Sequence, residues 1–167
     1  NLAYKFKKRK LQKHPKVINE NYKPFVSVMI PCHNEESVIE HTVKNILNMD
    51  YEKFEVIVID DRSTDNTPNV IKNLEKQYDN VKILIRQPGA FPGKSSVLND
   101  AFVLAKGDAV LVFDADATVD SDFLSKLIPE IEPKDVGAVQ ARKIIRNKDF
   151  NFLTRCQNNE YTMDTHF

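Results

Sequence analysis

Four short apolar runs recur along this chain, and each is followed at once by a polar cluster. FVSVMI (25–30), EVIVID (55–60), VKILIR (81–86) and AVLVF (109–113) are dense enough to read as buried strands. Between the first two, residues 35–48 place Val38, Ile39, Thr42, Val43, Ile46 and Leu47 at helical spacing. Asn34 suits the N-cap of that helix, and Glu35 and Glu36 favour its first turn. Pro68 suits the first turn of a second helix running to about Tyr78. A third helix is expected from about Lys94 to Lys106, ended by Gly107. A short helix over 120–129 and a fifth strand over 137–145 follow, and the last 18 or so residues read as helical with a weak pattern. Strand and helix thus alternate four times, which argues for βαβ units, a mostly parallel sheet and helices on both faces.

Sheets of this kind bind ligands at the carboxyl ends of their strands, where the strand order reverses. The polar clusters fall at those ends: PCHNEE after the first strand, DDRSTD after the second, the GKSS loop after the third and DAD after the fourth. One such cluster is an ordinary solvated turn. Four of them at one sheet edge point to a ligand site.

The length of 167 residues suits one domain, and 41% hydrophobic with 29% charged residues suits a globular chain with a real core. The net charge is zero, but Lys5, Lys7, Lys8, Arg9, Lys10, Lys13 and Lys16 precede any acid. The rest of the chain holds 17 basic and 24 acidic residues, which argues against a nucleic-acid-binding body. Cys32 and Cys156 form neither a zinc pattern nor a disulfide framework. No apolar stretch in these residues reaches the length of a membrane span, and no signal peptide is expected. The opening at Asn1 with a basic run reads as a piece of something longer. That run is either a solvated tail or the cytoplasmic flank of a transmembrane helix. The division expected is a basic segment and linker over 1–24 and one domain over 25–167.

In VFDADAT, Asp114 and Asp116 are one residue apart, so on an extended chain both carboxylates point the same way. Two oxygen anions at a strand end suit a hard divalent cation, Mg²⁺ or Mn²⁺, and through it a phosphate. Gly93-Lys94-Ser95 before a helix suggests a P-loop, but Gly89 and Gly93 enclose three residues where that motif needs four, and Pro88 and Pro92 lack the N–H groups a phosphate cradle uses. VFDADAT also fits the DxDxT of haloacid dehalogenase-type phosphohydrolases, with Asp114 as nucleophile, although three βα units precede it here. A nucleotide-binding module without catalysis is a third possibility.

All four clusters in their order, FVSVMIPCHNEE, EVIVIDDRSTDNT, GKSSVLNDAF and VLVFDADATVDSDFL, resemble the family 2 glycosyltransferases. The resemblance covers roughly residues 25–145 and is to the group that includes cellulose, hyaluronan and poly-N-acetylglucosamine synthases. It implies the GT-A fold, a Rossmann-like α/β three-layer sandwich with a mostly parallel sheet, here truncated at its C-terminal side. It implies inverting transfer of a sugar from a UDP-sugar to a glycan or other acceptor, with Mg²⁺ or Mn²⁺ as cofactor. Pro31, His33 and Glu35 would line the uridine pocket; Asp60 would accept from the uracil N–H with Asp61 beside it. Lys94 would sit against the diphosphate and Asn99 near it. Asp114 and Asp116 would hold the metal, Asp114 nearer the ribose. Gln140 and Arg142 would border the donor sugar or acceptor. The family's general base lies in a TED-like motif, and its processive members carry a QxxRW run; neither is matched here, and Glu160 and Asp164 do not fit the pattern. The resemblance also favours a juxtamembrane reading of Lys5–Lys16, with the domain on the cytoplasmic face of the membrane and the chain itself soluble.

Overall fold

The computed structural model describes residues 22–133 and 136–141. The strands are β1 (Val26–Cys32), β2 (Phe54–Asp60), β3 (Val81–Ile85) and β4 (Ala109–Val112). The helices are α1 (Ile39–Leu47), α2 (Thr67–Gln77), α3 (Lys94–Phe102) and α4 (Phe123–Ile131). All strand pairs are parallel, in the order β3-β2-β1-β4. The chain steps outward from β1 to β2 to β3, and α3 then carries it back to β4 on the other side of β1. The reversal of strand order therefore lies between β1 and β4, and their carboxyl ends open the crevice that such a reversal creates.

Burial on both faces explains why β1 and β2 read as continuous apolar runs and not as alternating ones; β4 alternates half-buried and exposed positions, with Val110 and Val112 exposed. Val26, Val28 and Ile30 of β1 and Val56 and Val58 of β2 share one core with Ile39, Val43 and Ile46 of α1, Ile71 and Leu74 of α2, and Leu124 and Ile128 of α4. On the opposite face Met29, Ile57 and Ile59 meet Val97 and Ala101 of α3. Each fully buried aliphatic side chain contributes roughly 1.5–3 kcal/mol. The result is the expected three-layer α/β fold.

The structure corrects several expectations drawn from the sequence. Helix α1 begins at Ile39, not near Glu35, and its N-cap position, Val38, makes no side-chain cap. Asn34 is in the left-handed region at φ 57° and caps nothing; its side chain crosses to another loop. Helix α3 stops at Phe102, four residues short of the expected end, so Gly107 is not its terminator. Gly107 instead packs against the start of β1, where an added Cβ would lie 2.4 Å from the Ser27 nitrogen and 2.6 Å from the Ala109 carbonyl oxygen. Residues 137–141 are not a strand. The remainder of the fifth strand, the basic run and the C-terminal 18 residues lie outside the described residues. No helix among the described residues is long and apolar enough to cross a membrane.

Candidate functional site

The loops after β1 and β2 are laced together. Asn34 Oδ1 accepts the Thr64 N–H at 2.7 Å and the Asp65 N–H at 3.4 Å, while its own N–H donates to Ser63 Oγ at 2.8 Å. Asn is among the few residues that tolerate the left-handed φ this crossing needs. The Glu35 N–H donates to Thr67 Oγ1 at 2.9 Å, and Glu36 Oε2 accepts the Asn66 N–H at 2.7 Å. His33 Nδ1 lies 2.7 Å from the Asp61 carbonyl oxygen, so Nδ1 carries the proton and Nε2 is left to accept from Asn34 Nδ2 at 3.3 Å. The imidazole is thereby oriented at the exposed rim, above the half-buried Pro31.

The two aspartates that end β2 differ sharply. Asp60 is 1% exposed; its Oδ2 accepts the Ser63 N–H at 3.2 Å, and its buried Oδ1 has no protein partner among the described residues. Asp61 is half-buried, with its side chain 17% exposed. A bidentate Arg62 guanidinium (2.9 and 3.2 Å) lowers its carboxyl below the usual range, burial opposes this, and Arg86 at 2.8 Å adds to the lowering. Arg86 follows β3. The register pairs Asp60 with Ile85, so Arg86 falls beside Asp61.

Lys94 opens α3, and its ammonium is hydrogen-bonded to Asp114 Oδ1, at the end of β4. The contact spans the crevice's far loops: a cation delivered by the crossover helix meets the acidic pair of the last strand. Asp116 is exposed on the same loop. Helix N-termini favour anions, so Lys94 and the first turn of α3 together suit a phosphate. The acidic pair offers hard oxygen donors, which Mg²⁺ and Mn²⁺ prefer. No group of three or more such ligands forms among the described residues.

Pro31, His33, Glu35, Asp60 and Asp61 thus gather on one side of the carboxyl edge, and Lys94, Asp114 and Asp116 on the other. Asn99 is exposed on α3, and its neighbour Asp100 is the one that enters the network, through Arg86. Gln140 is exposed, and Arg142 lies outside the described residues. Cys32, beside His33, is no nucleophile: burial first, then the charges of Asp60, Glu35 and Asp65, push its thiol up to about 12. Sequence reasoning missed Arg86. Its only signal is a charged residue at the very end of an apolar strand, which on its own reads as a solvated terminus.

An open parallel sheet with a polar cluster across its carboxyl edge at the point of strand reversal defines a Rossmann-like α/β domain. The chain belongs to glycosyl transferase family 2, whose model matches residues 27–167. It is 44% identical over 146 residues to a beta-monoglucosyldiacylglycerol synthase of Nostoc sp., covering 86% of this chain and 31% of that protein. It is 35% identical over 138 residues to a poly-beta-1,6-N-acetyl-D-glucosamine synthase of Staphylococcus aureus, covering 81% of this chain and 32% of that one. The chain therefore spans about a third of these relatives. Among solved structures it resembles the mannosyltransferase PcManGT of Pyrobaculum calidifontis in complex with GDP-Man and Mn²⁺, with TM-score 0.69 and 32% identity over 83% of this chain and 41% of that one. It also resembles S. aureus TarS 1–349 in complex with UDP-GlcNAc, with TM-score 0.56 and 26% identity over 71% and 38% of the two chains. The fold is that of the GT-A glycosyltransferases, present here as a partial domain.

Proposed function

We propose that this chain is the donor-binding half of an inverting, metal-dependent glycosyltransferase that uses a UDP-sugar. The observation that carries the reading is the Lys94–Asp114 contact, which joins the loops after β3 and β4 at the crevice. A nucleoside diphosphate laid across that crevice would meet the Pro31–His33 loop and the Asp60–Asp61 turn with its base and ribose. Its phosphates would meet Lys94 and the N-terminus of α3. Asp61, not the buried Asp60, is the carboxylate nearer the surface, so it is the better partner for a ring N–H or a ribose hydroxyl. His33, held by Asp61 and Asn34, would form a fixed wall beside it.

Asp114 and Asp116 would hold the divalent cation, which when bound spreads the charge gathering on the departing diphosphate. Lys94 supplies further positive charge to the same group, and a preorganised cation there stabilises the leaving group without reorganisation. The acceptor hydroxyl would attack the anomeric carbon in line, giving its proton to a general base outside the residues assigned here, as the carbon's bond to the diphosphate oxygen breaks, which inverts the configuration. The acceptor is a glycan or lipid hydroxyl, the class on which the named relatives act. We place the whole protein at the cytoplasmic face of a membrane, where a diacylglycerol lipid of the kind named for one relative would be met.

Calorimetric titration of the full chain with UDP and GDP, each with Mn²⁺ and with chelator, tests this reading. The expected result is binding that needs Mn²⁺ and weakens at least tenfold in Asp116→Asn, with no such difference in chelator. Binding indifferent to both metal and Asp116 would overturn the metal assignment. A beryllofluoride adduct on Asp114 would point instead to a phosphohydrolase.

A further inference from the structure

Arg86 lies beneath the site with its side chain 2% exposed, and every nitrogen of its guanidinium is engaged. Nε donates to Asp100 Oδ2 at 2.8 Å and Nη1 to Asp61 Oδ1 at 2.8 Å. Nη2 donates to the Phe91 carbonyl at 2.8 Å and to Ser96 Oγ at 2.9 Å. Four of its five N–H groups are thereby used within the protein. The partners belong to two separate pieces of the carboxyl edge. Asp61 follows β2, at the nucleoside end of the crevice. Phe91, Ser96 and Asp100 belong to the loop and helix that present Lys94 at the diphosphate end.

Ser96 and Asp100 are four residues apart on α3, so they share one helix face and Arg86 grips that face at two points. The grip fixes both the rotation of α3 and the loop that leads into it. Within that loop Gly89 and Gly93 take φ of 95° and 101°, open to few other residues, and Pro88 and Pro92 stiffen the intervening turn. A planar fork with five donors makes all these contacts at once; an ammonium cannot.

We propose that Arg86 is a positioning residue that sets the spacing between the nucleoside and diphosphate subsites. The proposal rests on the nucleotide-sugar reading of the site. It differs from a merely structural role in one measurable way. A ligand that spans both subsites gains from their being held in register, whereas a ligand that fills only one does not. Arg86→Lys should therefore weaken UDP binding far more than it weakens the binding of uridine alone or pyrophosphate alone.

The test measures all three affinities, with Mn²⁺ present, for the full chain and for Arg86→Lys. GDP and guanosine replace UDP and uridine if wild type prefers them. The expected result is a loss for the diphosphate at least fivefold greater than the loss for either fragment. Asp100→Asn, a change at a half-exposed side chain that removes the charge of one anchor of the guanidinium, should give a smaller loss in the same pattern. If Arg86→Lys does not fold, Asp100→Asn carries the test by itself. A diphosphate loss no greater than the fragments' losses overturns the proposal while the nucleotide site stands. Wild type that binds neither nucleoside diphosphate overturns the site reading, and this proposal falls with it.

Discussion

The Lys94–Asp114 ion pair has a consequence that neither residue has alone. Its two members are claimed by different parts of one ligand: the ammonium by phosphate, the carboxylate by a cation. Without ligand they satisfy each other, at 56% and 38% side-chain exposure. A cation arriving alone must displace the ammonium, whereas a cation arriving with a diphosphate offers Lys94 a new partner at the same moment. An ion pair this exposed is worth about 0.5–1 kcal/mol, or roughly two- to fivefold in a binding constant. Lys94→Met should therefore bind Mn²⁺ about two- to fivefold more tightly than wild type when no nucleotide is present, and bind UDP with Mn²⁺ more weakly. Electron paramagnetic titration of free Mn²⁺ reads the first effect directly. Unchanged or weaker Mn²⁺ binding in the variant would show that the pair does not compete with the metal.

Elements hold these residues in place, and the two kinds of element were unequally legible in the sequence. The central strands could be read because burial on both faces leaves few polar interruptions, so the apolar run at 55–60 declares itself; the run at 109–113 is equally apolar, although Val110 and Val112 are exposed on β4. The polar clusters could be placed at one edge because parallel strands put every carboxyl end together. The details within the loops could not. Asn34 carries the residue type of an N-cap and sits in the right place, yet the loop after β2, distant in sequence, takes its side chain instead. Gly107 carries the signature of a helix terminator, yet a long-range approach of β1 to β4 is what excludes a side chain there. Arg86 becomes readable only once the register beside Asp61 is known. Local chemistry is ambiguous wherever a tertiary contact supplies the partner. The brace at Asn34 makes a prediction at this scale. Asn34→Gly keeps the left-handed backbone and loses the side-chain bonds, at a cost of roughly 1–2 kcal/mol. Asn34→Ala loses both and should cost about 1 kcal/mol more. Urea denaturation of the two variants gives the difference, and equal costs would mean that the backbone at residue 34 is not strained by a side chain.

At the scale of the whole molecule the two edges of the sheet are built for different ends. The carboxyl edge carries the site; the amino edge carries a buried polar knot that took no part in the functional reading. Glu55, 4% exposed, accepts from the Ser27 hydroxyl at 2.8 Å, from the Lys106 N–H at 2.9 Å and from the Lys82 ammonium at 2.5 Å. The Gly107 N–H donates to Ser27 Oγ at 2.8 Å, so β1, β2, β3 and the segment between α3 and β4 are tied at one point. Burial pushes the Glu55 carboxyl up, but the Lys82 ammonium, the Lys106 N–H and the Ser27 hydroxyl together hold it below its ordinary value of 4.5. The unfolded chain therefore binds the proton more readily than the folded one. The stabilisation from this carboxylate is complete above about pH 4.5 and is lost as the pH falls through the lower native value. Glu55→Gln keeps the shape and one acceptor oxygen but removes the charge that Lys82 pairs with. It should cost about 1–3 kcal/mol at pH 7, and the gap to wild type should narrow as the pH drops from 5 toward 3, because protonation removes the same charge from wild type. Thermal melts of both proteins across that range read the slope. Asp61, also held low by its arginines, titrates in both proteins and so cancels in the comparison. UDP affinity at pH 7 should be the same for Glu55→Gln and wild type, since the knot and the crevice lie at opposite ends of the strands. A loss of affinity would mean that the amino edge governs how α3 presents Lys94, and that the two edges are mechanically one device.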